Sequence, residues 1–222
     1  MNLTASYDPA KDAENHVRCI FDAAYLAHGR EGMREKLLAA VESDEVRSAL
    51  VGGGERDVML VKVTELLAAA PGRDKLGDAA WRLEKTWATR GDQVILQLET
   101  LFVRDWPFDR VHVDLTTLPI CPYNFMEKRI FVRGLAPLEA QLRILAHELN
   151  HFLFYHAYAD DLAPKLGYEK FELLKESVTV FTNPEHSGKP DEAPLRKLFI
   201  EKRVRSLDEA VRIGTDYLSG RA

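Results

Sequence analysis

Apolar positions recur at helical spacing through the first hundred residues. Val17, Ile20, Phe21 and Ala24 form one stripe. Asp8-Pro9 opens it, an N-cap ahead of a proline at the first helical position, and Gly29 is its expected stop. Met33, Leu37, Leu38 and Val41 mark a second helix. Gly52-Gly53-Gly54 interrupts the chain before a third, carrying Val58, Val61, Leu66 and Leu67, which Pro71-Gly72 closes. Leu76, Ala80, Leu83 and Trp87 predict a fourth, and Val94, Ile95, Leu98, Leu101 and Phe102 a fifth.

After Trp106-Pro107 the period changes from helical to two. Residues 110–118, RVHVDLTTL, place Val111, Val113 and Leu115 on one side and Arg110, His112 and Asp114 on the other. Residues 127–133, EKRIFVR, alternate in the same way, with Ile130 and Val132 opposite Arg129 and Phe131. The expected result is a strand pair joined by a link of six to eight residues. Pro137 then opens a long helix through Leu138, Leu142, Leu145, Leu149 and Phe152. Further helices are expected over about 167–182, stopped by Asn183-Pro184, and over 191–205 and 207–219, the last with Ser206 and Glu209 at capping-box spacing. The pattern predicts a helix-rich α+β protein, with a helical N-terminal region over 1–105 and a core of small sheet and helices over 106–222.

Composition narrows the class of function. The 222 residues carry 30 Lys and Arg against 35 Asp and Glu, a formal charge of −5, without a long block of either sign, so a nucleic-acid or anionic-membrane partner is not expected. The Lys/Arg cluster from Arg196 to Arg205 is interleaved with Leu198, Phe199, Ile200 and Val204 and reads as a solvated helix face. Gly52 to Arg56 lacks the Lys-Ser/Thr ending of a phosphate loop. Cys19 and Cys121 have no ligand spacing and fit thiols in a reducing compartment. The polar N-terminus and the absence of 18 consecutive apolar residues suggest a cytoplasmic protein without a membrane span.

One motif carries chemistry. His147-Glu148-Leu149-Asn150-His151 lies inside the helix opened by Pro137, so its two imidazoles leave the same face one turn apart and can share a zinc ion. Composition alone gives about 0.02 occurrences of this H-E-x-x-H pattern in a chain of this length. Glu148 projects to the side of the metal, where it can take a proton from a water whose pKa zinc lowers toward ~7. A catalytic zinc needs a third protein ligand. His156 lies about 140° round the helix from the zinc face at 100° per residue. The acids of the next helix are Glu169, Glu172 and Glu176. Of these, Glu172 points most squarely to water and Glu176 borders the apolar face, which favours Glu176 and leaves the other two open.

The run from His147 to His151, followed by KESVTVFTN at 175–183, resembles the zincin superfamily, and within it the glutamate-ligand gluzincins, including the minigluzincins and small intracellular zinc peptidases. The resemblance covers about residues 108–183. It implies Zn2+ held by His147, His151 and Glu176, with Glu148 as general base in the hydrolysis of a peptide or protein substrate. It also implies an edge strand at 129–133 that pairs with an extended substrate. Tyr155, Tyr158, Tyr168 and His186 are the nearest candidates for steadying an oxyanion. The competing expectations are a zincin-derived binding or regulatory domain whose metal is structural or absent, and a zinc hydrolase acting on a non-peptide amide.

Overall fold

In the computed structural model, the residues described are 1–22, 32–183 and 188–220. Ala24, Gly29, Pro184 and His186 lie outside them. The protein is helix-rich α+β with a four-stranded mixed sheet. Strand β1 is Asn2–Ser6, followed by helices α1 (Pro9–Phe21), α2 (Met33–Ala40), α3 (Asp44–Val51), α4 (Arg56–Ala69) and α5 (Arg73–Phe102). Strands β2 (Arg110–Thr116), β3 (Tyr123–Asn124) and β4 (Arg129–Arg133) come next. The chain continues as α6 (Leu138–Leu166), α7 (Tyr168–Ser177), a 3-10 turn at Val178–Phe181, α8 (Ala193–Glu201) and α9 (Leu207–Leu218).

The chain divides into two compact units, each assembled from separated stretches, so neither coincides with residues 1–105 or 106–222. One unit gathers Asn2–Thr89 and Arg110–Ile144. Its sheet order is β1-β2-β4-β3, with β1 and β4 parallel to β2 and β3 antiparallel to β4. The pairing of β2 with β4 is therefore a crossover through residues 117–128, not a direct hairpin; parallel strands need a long connection, and β3 occupies part of it. β3 pairs with β4 on its outer side at Arg129 and Ile130, and the Phe131 N–H also donates to the Pro122 carbonyl at 2.9 Å. The expected exposed edge at 129–133 is thus corrected over residues 129–131, which pair with residues 122–124.

Strand β1 has no counterpart in the sequence reading. It buries Leu3 alone and owes its form to pairing with residues 110–114, more than a hundred positions away. Helix α1 is pinned to the end of β2 by a buried polar cluster. Asp12 accepts from the Thr116 and Thr117 hydroxyls at 2.6 and 2.8 Å, Asn15 Nδ2 donates to Thr116 Oγ1 at 3.0 Å, and His16 Nε2 lies 2.9 Å from Thr117 Oγ1. Beneath it, Val17, Ile20, Leu50, Val63, Leu67 and Leu118 share one apolar core. Helix α3, which lies beyond the stripe ending at Val41 and has no counterpart among the expected helices, begins at a Ser43 cap whose Oγ accepts from the Val46 N–H at 3.2 Å.

The other unit gathers Arg90–Asp109 and Leu145–Ala222, with Met1. Phe102, Phe152, Phe154, Phe171, Leu174 and Phe199 are fully buried in it. The fourth and fifth helical stripes are one continuous helix, α5, whose two ends belong to different units. The basic run 196–205 is not uniformly solvated: Lys197, Arg203 and Arg205 are exposed, but Arg196 is buried. Ser206 caps α9 by accepting from the Glu209 N–H at 3.3 Å, while Glu209 Oε2 accepts from the Arg205 N–H at 3.1 Å. Among the described residues no helix is long and apolar enough to cross a membrane.

Candidate metal centre

Helix α6 runs unbroken through the motif, so the i, i+4 relation of its histidines is realised as drawn. The helix stops at Gly167, whose φ of 76° lies in the left-handed region that a side chain disfavours, and the chain turns back into α7. That return brings Glu176, in the last turn of α7, onto the histidine face. His147 Nε2 and His151 Nε2 lie 3.0 Å apart, with their rings edge-to-face at 83°. Glu176 Oε1 is 3.5 Å from His151 Nε2, and Oε2 is 3.8 Å from His147 Nε2.

These separations match what a metal requires. Ligand atoms at ~2.0–2.1 Å from a tetrahedral zinc lie about 3.3–3.4 Å from one another. The separations of 3.0, 3.5 and 3.8 Å bracket that spacing, and the three residues offer donor atoms that all lie within 4.8 Å of one another. Two imidazole nitrogens and one carboxylate are a donor set suited to zinc. Among the described residues the group has three members, which leaves room on a tetrahedral ion for water or substrate.

Burial and charge set the protonation of the two glutamates in opposite directions. Burial pushes Glu148 well above the usual carboxylate range, and the nearby Glu176 anion adds to this while Lys175 opposes it. Burial also pushes Glu176 up, but His151, Lys175 and His147 outweigh it and hold its carboxyl well below the usual range. Glu176 is thus held anionic, while Glu148 is biased toward its protonated form.

The remaining candidates separate clearly. Glu172 is taken up elsewhere: Lys175 Nζ is 2.6 Å from its Oε2, and the Tyr155 hydroxyl donates to its Oε1 at 3.3 Å. Glu169 and Tyr168 are exposed. Tyr158 donates to Asp208 at 2.5 Å. Tyr155 is half-buried, and burial together with the Glu172 charge pushes its hydroxyl up to about 12. His156 is exposed, with its ring edge-on to Phe108. Sequence reasoning missed Lys175, which is 2 % exposed and stands 3.5 Å from Glu176 Oε1. It falls outside the apolar arc of its helix, so no periodicity marks it as buried.

No family model, curated protein or solved structure matches this chain. The functional reading therefore stands on the motif and on this geometry.

Proposed function

We propose that the protein is a zinc-dependent hydrolase of peptide bonds, related in its site to the gluzincin-type zincins. The observation that carries this reading is the convergence of His147, His151 and Glu176 at ligand spacing beside a buried Glu148. His147, His151 and Glu176 would hold the ion. Bound zinc would supply Lewis-acid polarisation of the scissile carbonyl and a water acidic enough to be deprotonated near neutral pH. Glu148, buried on the motif helix next to His147, would accept that proton and pass it to the leaving amine. The substrate is a peptide or protein, and the setting is cytoplasmic.

Two measurements test this. Purified protein is expected to hold one zinc per chain, lost in His147→Ala. Glu148→Gln is expected to keep the zinc while cleavage of a mixed peptide library falls by about 10²–10⁴-fold. Full activity in Glu148→Gln would remove the mechanism, and an absence of metal from the wild-type protein would remove the metal site.

A further inference from the structure

Glu176 reaches the metal cluster from the end of α7, and the groups that fix that end lie on other elements. The helix stops at Ser177 and tightens into the 3-10 turn, where the last carbonyls lack helical partners. The Glu176 carbonyl accepts from Thr179 Oγ1 at 2.7 Å and from Arg196 Nη2 at 3.2 Å. The same Nη2 donates to Thr179 Oγ1 at 2.8 Å. Arg196 therefore clamps both the ligand's own backbone and the hydroxyl that bonds it.

The clamp is itself built into the interior. Arg196 is 5 % exposed, and its charge is met by Glu192, also buried, whose Oε2 lies 3.1 Å from Nε and 3.0 Å from Nη2. Gly188 lies against this pair, where a Cβ would come within 2.3 Å of Glu192 Oε2 and 2.6 Å of Arg196 Nε. A buried ion pair is seldom a better source of stability than apolar packing of the same volume, so its presence here calls for a positional reason. On the opposite side, Asn150 of the motif donates from Nδ2 to Thr182 Oγ1 at 3.2 Å, and Thr182 Oγ1 donates to the Thr179 carbonyl at 3.1 Å. Hydrogen bonds thus run from the motif helix through the turn to the Glu176 carbonyl and end on Arg196.

We infer that Arg196, held by Glu192, is a positioning residue for the metal ligand Glu176. It sets where the end of α7 stands against the two histidines, and so sets the affinity and geometry of the ion. This rests on the metal-site reading above. An outer-shell partner of this kind is worth about 10–100-fold in metal affinity.

The test uses the full chain with Co2+ as a spectroscopic probe and Zn2+ in competition with a chelator. Arg196→Lys keeps the charge opposite Glu192 but cannot reproduce the fork, and Thr179→Val removes the bridging hydroxyl while leaving the ion pair intact. Both variants are expected to bind Co2+ about 10–100-fold more weakly and to shift its visible absorption bands, with the helical circular dichroism of the metal-free protein unchanged. Exposed Lys197→Met serves as the control and is expected to change neither readout. If Arg196→Lys and Thr179→Val lower the metal-free melting temperature but leave affinity and bands at wild-type values, Arg196 is structural only and the inference falls. If the wild-type chain binds neither ion, the metal site and the inference fall together.

Discussion

Glu172 and Glu176 stand one helical turn apart on α7, yet their surroundings assign them different work. Glu172 is neutralised by Lys175 and bonded by Tyr155, whereas Glu176 faces the two imidazoles. Glu176→Gln is expected to weaken Zn2+ binding by at least about 100-fold, beyond the range of an outer-shell loss, and Glu172→Gln by clearly less. Equal losses in a chelator competition would overturn the assignment of the third ligand. His16 carries a second prediction at this scale. Burial lowers its pKa below the ordinary value of 6.5, with the Asp12 charge opposing less strongly. The unfolded chain then takes up a proton below about pH 6.5 that the folded chain refuses, so this contribution to stability is present above that pH and is lost as pH falls toward the lowered folded value. Urea unfolding between pH 7.5 and 5 should show His16→Gln losing stability less steeply than wild type, by up to ~1.4 kcal/mol per pH unit. Parallel pH profiles would remove His16 as the cause.

At the scale of elements, legibility followed locality. The motif helix and its paired histidines could be read from five residues, because i, i+4 geometry is internal to a helix. Glu176 could be favoured over Glu172 because a helix wheel locates the apolar border. What escaped was non-local. β1 forms only against β2, the crossover from β2 to β4 depends on pairing over a long loop, and Lys175 and Arg196 meet groups distant in sequence: the Tyr155 ring, its centroid 5.6 Å from Lys175 Nζ, and the Thr179 hydroxyl, 2.8 Å from Arg196 Nη2. A charged residue in a polar run looks solvated until the distant groups that cover it are known. Gly134 shows the same limit in packing. It follows the last residue of β4, and a Cβ there would lie 2.4 Å from Leu76 Cδ2 on α5 and 3.2 Å from Leu115 Cβ, so the buried Leu76 side chain would have to shift. Gly134→Ala should therefore destabilise by about 1–3 kcal/mol through overpacking, measured by denaturant unfolding. Leu76→Ala would relieve part of that cost in the double variant, and strict additivity of the two changes would show that the contact is not the cause.

For the whole molecule, the division into two units gives the proposed metal binding a location as well as a magnitude. Every proposed ligand, and the Arg196–Glu192 pair behind Glu176, belongs to the unit built from Arg90–Asp109 and Leu145–Ala222. A ligand that binds only the folded state stabilises it by about 2.7 kcal/mol at a hundred times its dissociation constant. For a chain of this size that corresponds to a rise of roughly 5–11 °C in melting temperature, removed by a chelator. The stabilisation applies only to openings that disrupt the site. Hydrogen exchange with and without Zn2+ should therefore slow most over residues 145–182, and least over α1 to α4, whose core of Val17, Leu50, Val63 and Leu67 contains none of the ligands. Equal slowing in both regions would mean that the chain opens as one cooperative body. Slowing confined to α1–α4 would place the ion elsewhere and contradict the site at His147, His151 and Glu176.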